Sequence, residues 1–353
     1  MSYYLYFLVI YFITVKLLYG QTSGYYDAKI ALDIEKKEGI KVTDNNYFLL
    51  DSIIRSLDRQ VQIPANYTKE EALNACLKIS SVLEKEFNIK FVETELLSGG
   101  LEKNEFDCNY YSIVFYTILN KKKNLPVFPV LVPGHMFIRW HLKNGSYFNY
   151  ETTQNRETTD AEYDSIFNIS SQAKANKVYM ADINDKQFIA INYVEIANSF
   201  PDTLYVRKLE LCEKSLLQDS NCVIAYLFKG KVLAFKMKFN SAIACFDKVL
   251  ANDSLNYQTF NFVGLLYSIQ GEGVKAIENY SKAIVCNPND PVLYINRSEE
   301  YLKSEQLENA MNDFDSATDH LKKCSFFQFA ENYIRIAVLE KAIMIEYLKQ
   351  NGK

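Results

Sequence analysis

The chain has no excess of positive charge: 39 Lys and Arg face 43 Asp and Glu, a net charge of −4, and its one basic run, Lys121-Lys122-Lys123, is short. Nucleic acid is disfavoured as a partner, because its recognition needs a basic face. Protein, peptide or small-molecule partners are expected instead. A cysteine framework is also missing. The seven cysteines (Cys76, Cys108, Cys212, Cys222, Cys245, Cys286 and Cys324) include no CxxC and are odd in number, and only Cys324 has a histidine nearby, His320. This pattern indicates neither a zinc site nor a disulfide scaffold, and no metal or cofactor is expected. A small buried thiol accounts for six of the seven. Only Cys108 has a setting that asks for more.

Long apolar runs are wanting except at the N-terminus. There Tyr3 to Val15 is apolar or aromatic apart from Thr14, Lys16 interrupts, and polarity begins at Gln21. A helix of that length spans only ~20 Å, short of a ~30 Å bilayer core. Residues 1–22 are therefore expected to be a signal peptide cleaved near Gly20 to Ser23, with an uncleaved membrane anchor as the alternative. Either case implies an exported, periplasmic or extracellular protein. The 353 residues, 48% hydrophobic and 23% charged, suffice for two ordinary folded domains. The 26 Tyr and 23 Phe are spread along the whole chain and supply buried area.

Shifting the chain on itself by 34 residues aligns three units. Gly230, Gly264 and Ser298 fall in register, as do Ala242, Ala276 and Ala310, then Phe246, Tyr280 and Phe314. Tyr226, Phe260 and Tyr294 also coincide, and Val249, Ala283 and Ala317 close each unit. Small residues at these offsets let paired helices approach, and the aromatics are expected to fill the space between neighbouring hairpins. The pattern resembles the tetratricopeptide repeat. Clear units are expected at about 223–256, 257–290 and 291–324, within an all-α solenoid over 188–350. Phe188 to Leu217 is read as a degenerate first unit, with Lys208 and Cys212 at its small and aromatic positions. A capping helix is expected over Phe326 to Gln350. The resemblance implies a concave face that binds protein or peptide, or else a docking site for the chain's own N-terminal half.

In the N-terminal half, helices are expected from Thr43 to Asp58 and from Thr68 to Phe87, the second opened by a capping box, Thr68 with Glu71. Ser98-Gly99-Gly100 reads as a loop. Cys108 to Asn120 is apolar on nearly every side, as in a central buried helix. Three strands follow, Pro126 to Val132, His135 to Leu142 and Ser146 to Thr153, with Asn144-Gly145 marking a hairpin. The segments Phe106-Asp107-Cys108, Pro133-Gly134-His135-Met136-Phe137-Ile138-Arg139-Trp140 and Phe148-Asn149-Tyr150-Glu151-Thr152-Thr153 resemble the transglutaminase-like superfamily over about Leu73 to Thr153. A bacterial branch of that superfamily carries tetratricopeptide repeats after the domain. The resemblance implies an α+β, papain- or transglutaminase-like domain over 23–180. It also implies Cys108 as nucleophile, His135 as general base and then acid, and Glu151 as the carboxylate that orients the ring. The family's usual acid is Asp; Glu151 keeps the charge on a longer arm.

A thiolate is favoured at a helix N-terminus, with an imidazole to take its proton, whereas Asp107 beside it opposes ionisation unless it turns away to cap the helix. Register supplies a further condition. A strict two-residue turn at Asn144-Gly145 sets Ile138 opposite Glu151 and puts Glu151 and His135 on opposite faces. A bulge at Gly145 sets Phe137 opposite Glu151 and brings both onto one face, and this is the expected register. Trp140 is read as core, Arg139 as a surface ion pair, Tyr110 and Tyr111 as cleft or packing residues, and His141 and His320 as ordinary histidines. Two functions remain open: a thiol acyl-transfer or amide-hydrolysing enzyme, and a catalytically inactive adaptor whose repeats bind a partner. Some members of the superfamily lack the cysteine.

Overall fold

The computed structural model describes residues 28–92 and 96–323. The expected signal or anchor, Cys324 and the expected capping helix lie outside them. The chain divides into two compact units. One comprises the described residues up to Asp160, Met180–Ser199 and Leu217–Ser220; the other comprises Ala161–Tyr179, Phe200–Leu216 and the described residues from Asn221 onward. The passage expected near 180–188 is thus not a single point, since residues 161–179 join the second unit and Met180–Ser199 the first.

The first unit starts with α1 (Ala28–Lys37), α2 (Asp44–Gln60) and α3 (Lys69–Lys85). The expected box opens α3: Glu71 N–H donates to Thr68 Oγ1 at 3.2 Å, and Thr68 N–H donates to Glu71 Oε2 at 2.7 Å. Strand β1 (Lys90–Phe91) pairs in parallel with β2 (Glu105–Phe106). Between them Leu97–Lys103 forms a helix, α4, where a loop was expected. The reason is distant in sequence. The buried Glu35 carboxylate accepts Leu97 N–H at 2.9 Å and Ser98 N–H at 3.1 Å, satisfying donors that every helix start leaves open. Gly100 is demanded by packing, since a Cβ there would lie 2.1 Å from the Glu105 carbonyl oxygen.

Helix α5 (Cys108–Tyr116) is buried from Tyr110 to Tyr116 and continues as a π-helical stretch, Thr117–Lys122. It packs against a four-stranded antiparallel sheet in the order β3-β4-β5-β6: Val127–Val132, His135–His141, Tyr147–Glu151 and Arg156–Thr158. Trp140 and Tyr150 are fully buried on one face of the sheet, where Tyr150 meets Phe115 of α5 with ring centroids 5.7 Å apart, and Phe137 is fully buried on the opposite face, which it shares with His135. At the hairpin Gly145 has φ +82°, and Leu142 N–H donates to the Ser146 carbonyl at 2.7 Å. The loop therefore has three residues, and β4–β5 pairing runs Ile138↔Tyr150, Arg139↔Asn149, Trp140↔Phe148. This is the bulged register, with glycine at the left-handed position that a bulge needs. The unit is completed by α8 (Asp185–Ser199), numbered after α6 (Asp160–Phe167) and α7 (Ser171–Ala175).

The second unit is helical. Its hairpins are α10/α11 (Val223–Phe235, Phe239–Asn252), α12/α13 (Tyr257–Ile269, Gly273–Cys286) and α14/α15 (Pro291–Lys303, Leu307–Lys323). A Cβ at Gly230 would lie 2.4 Å from the Phe246 ring, and one at Gly264 would lie 2.7 Å from that of Tyr280. The second-helix aromatic therefore sits on the small residue of its own hairpin, where the sequence suggested only packing between hairpins. Phe246 does both, because it also stacks on Phe262 of the next unit, ring centroids 5.9 Å apart. Ser298 takes the glycine's place by folding its hydroxyl onto the Ala310 carbonyl at 2.8 Å. Before the array, α9 (Tyr205–Gln218) carries buried Lys208 and Cys212. Its would-be partner α8 belongs to the other unit, so no complete degenerate repeat forms over 188–217.

Candidate active site

Cys108 is the first residue of α5, half-buried, with Asp107 as N-cap. Asp107 Oδ1 accepts Tyr110 N–H at 2.9 Å, so its carboxylate turns to the helix as the capping condition required. Burial nonetheless pushes Asp107 up to about 6, against the pull of the Tyr110 and Asn109 N–H groups. The Cys108 thiol is pushed up to about 12, first by burial and then by the Asp107 carboxylate. A hydrogen bond from the Met136 N–H opposes this, and Glu195 and Glu151 add to it. The sulfur thus sits against the β4 backbone one residue beyond His135.

His135 opens β4, and its Nε2 lies 2.7 Å from Glu151 Oε2 at the end of β5. The three-residue loop makes this possible: it sets Glu151 on the face of His135, within diagonal reach. Glu151 is 3% exposed, and its other oxygen accepts the Thr153 N–H at 3.1 Å and hydroxyl at 2.7 Å, which fixes the plane of the carboxylate. The longer arm of Glu is thereby held by a residue two positions on. The structure brings His135 and Glu151 into contact and sets the Cys108 sulfur beside β4, the strand of His135.

Other sequence candidates take structural places. Arg139 is buried, not a surface cation. Its guanidinium donates to Asn149 Oδ1 at 2.9 Å, to the Met180 carbonyl at 2.8 Å and to Asp160 Oδ1 at 2.8 Å, tying β4, β5 and the two ends of the 160–180 segment together. Tyr110 and Tyr111 are both buried, and the Tyr111 ring packs edge-on against Phe106 with centroids 5.9 Å apart. His141 pairs with Asp182 at 2.7 Å, and His320 stacks on Tyr294 with centroids 5.5 Å apart.

Two residues near the thiol escaped sequence reasoning, Asn109 and Glu195. Asn109 Nδ2 donates to Glu195 Oε1 at 3.4 Å. A cue was present: Asn192 and Glu195 interrupt the otherwise apolar stretch Phe188 to Ala197.

No known family model matches the chain. A TPR repeat-containing protein of Methanocaldococcus jannaschii is 30% identical over 117 residues, covering 33% of this chain and 20% of that protein. The probable UDP-N-acetylglucosamine–peptide N-acetylglucosaminyltransferase SPINDLY of Arabidopsis thaliana is 32% identical over 96 residues, covering 27% of this chain and 10% of that protein. The helical unit is a tetratricopeptide-repeat array. The chain spans about a fifth and a tenth of the lengths of these two curated relatives. Among solved structures, a crystal structure of MamA is 21% identical with a TM-score of 0.36, covering 46% of this chain and 92% of that one. The Cut9 and Hcn1 complex is 16% identical with a TM-score of 0.37, covering 47% of this chain and 32% of that one.

Proposed function

We propose that the chain joins a transglutaminase-like thiol site, made of Cys108, His135 and Glu151, to a repeat array whose concave face binds protein or peptide. The observation that carries the site is the 2.7 Å contact of His135 Nε2 with the buried Glu151 carboxylate, on the strand whose Met136 N–H meets the Cys108 sulfur. A carboxylate at Nε2 favours the tautomer protonated there, so that Nδ1 offers the lone pair. In this reading His135 takes the thiol proton, the sulfur attacks an amide carbonyl carbon, and the departing nitrogen receives that proton as its bond to carbon breaks. Water or an amine then cleaves the thioester, giving hydrolysis or transfer. The helix N-terminus and the Met136 N–H supply donors for developing negative charge.

Export belongs to the same proposal and is checked by N-terminal sequencing of the mature protein. For the array, deposition of labelled peptide on the purified chain should be lost when residues of the first helices are changed while the fold is kept. For the site, an amide-directed thiol probe followed by mass spectrometry should modify Cys108 ahead of the other cysteines, and His135→Ala should erase that preference.

The adaptor reading is favoured by one observation, the Cys108 thiol pushed up to about 12 among three carboxylates. At neutral pH such a thiol is almost wholly protonated until something changes its surroundings. Labelling of Cys108 no faster than of buried Cys76, with or without amide substrates, would establish the adaptor.

A further inference from the structure

The first helices of two adjacent repeats carry large apolar side chains in solvent. Phe235 ends α10 at 63% exposed, and Leu265 and Ile269 on α12 are 42% and 56% exposed. Lys231 and Leu265 are one 34-residue period apart, as are Phe235 and Ile269, so each pair holds the same place on its own repeat. A spacing of four puts Lys231 with Phe235, and Leu265 with Ile269, on one stripe of each helix. The two helices touch, and the Lys231 ammonium spans them, 4.8 Å from the centroid of the Phe262 ring. Phe262 stands one turn before Leu265 on the same stripe of α12.

The charge on this face is a second observation. Lys231 is half-buried, its ammonium drawn below its ordinary range by burial, and it meets no carboxylate among the described residues. Lys236, the C-cap of α10, lies over the rings of Tyr205 at 4.2 Å and Phe235 at 5.1 Å, again with no carboxylate among the described residues. An aromatic face attracts a cation but carries no net charge, so both ammonium groups stay uncompensated. Elsewhere in the unit Lys208, Lys229, Lys282 and Lys303 each pair with a carboxylate. A partly desolvated cation gains from a carboxylate brought to it, and the apolar stripe beside it gains from being covered.

We propose that this face docks a peptide segment in which an Asp or Glu stands beside large apolar residues. The carboxylate is drawn to Lys231 and Lys236, and the apolar side chains cover Phe235, Leu265 and Ile269. The proposal rests on the peptide-binding reading of the array and names the chemistry of its partner. Basic segments are repelled, and wholly apolar ones leave the ammonium groups uncompensated, so the lysines select what the apolar stripe holds.

The test selects random dodecapeptides displayed on phage against the full chain and measures synthetic copies by fluorescence anisotropy. Selected sequences should share an Asp or Glu close to Leu, Ile, Phe or Trp. Lys231→Met, which keeps an apolar stem of similar length, should weaken binding about tenfold. Changing the peptide's acid to its amide should cost the wild type as much and Lys231→Met little. Lys231→Glu should prefer the peptide whose acid is replaced by Lys. Phe235→Ser, at an exposed position, should also weaken binding about tenfold while the circular dichroism spectrum is kept. Selected peptides without an acid, or with full affinity for both Lys231 variants, overturn the proposal and leave the array a peptide binder. Selection of no peptide at all overturns both readings. A dimer in light scattering that Phe235→Ser splits assigns the face to a second copy, and displacement of selected peptides by a synthetic 324–353 peptide assigns it to the chain's own end. Either result overturns the partner proposed.

Discussion

At the scale of single residues, the contest is between a helix start that favours a thiolate and three carboxylates that do not. Asp107 is the nearest and is tested by Asp107→Asn, which preserves a capping oxygen and removes the charge. Cys108 labelling at pH 7.5 should rise about three- to tenfold, the consequence of a thiol pKa lower by half to one unit. The same variant alters stability. The folded carboxyl of Asp107 is raised from 3.8 to about 6, so its protonated form is the one folding favours. That contribution is complete below pH 3.8 and is lost as pH rises through about 6, a loss of roughly 3 kcal/mol at ~1.4 kcal/mol per pKa unit. Urea unfolding at pH 4 and pH 7 should show the wild type losing stability over this interval and Asp107→Asn losing distinctly less. Glu151→Gln should lower acylation by an amide probe by about 10²–10⁴-fold, as expected when the imidazole loses its orienting carboxylate, with little change in fold. Unchanged acylation would remove Glu151 from the chemistry. As candidates, Cys108, His135 and Glu151 stood out in the sequence because each lies in a short, distinctive segment. Glu195 did not, because it lies 87 residues beyond Cys108 and only the folded chain brings the two together.

At the scale of elements, the three clear repeats and the alternating strands were read correctly, whereas the degenerate repeat over 188–217 and the elements that depend on a distant partner were not. The three hairpins of the array announce themselves by a 34-residue period, and the β4–β5 register follows from one glycine at a left-handed position. Helix α4 reads locally as a glycine-rich loop and exists because Glu35 caps it from 62 residues away. Strand β6 is three residues long, too short for alternation to reveal it. The glycines make two contrasting predictions. Gly230→Ala places a methyl 2.4 Å from the Phe246 ring and should cost about 1–3 kcal/mol in urea unfolding, eased by movement of that ring. Gly100→Ala meets a backbone oxygen at 2.1 Å, which cannot swing aside, and should cost more. Equal losses in the two variants would mean that α4 yields as readily as a side chain does.

At the scale of the whole molecule, the two units are not consecutive stretches. The chain passes between them five times, at 160, 179, 199, 216 and 220. The segment that leaves the first unit after Asp160 is bonded to the helix ends of the array. Asn168 donates to the Cys286 carbonyl at 2.8 Å, Gln172 to that of Ala251 at 2.7 Å, and Ser170 to Asp253 at 3.0 Å. The first two bonds satisfy carbonyls that helix termini leave open, and the third is to the Asp253 carboxylate. A fragment comprising 188–323 lacks them and should melt several degrees below one comprising 161–323, as followed by circular dichroism.

Because each unit is completed by strands of sequence from the far side of the other, no single recombination event can donate or delete either of them whole. A deletion that keeps only the residues from Asn221 onward would leave the repeats without the 161–179 segment that braces them. Relatives that retain only the array should carry a substitute for that brace.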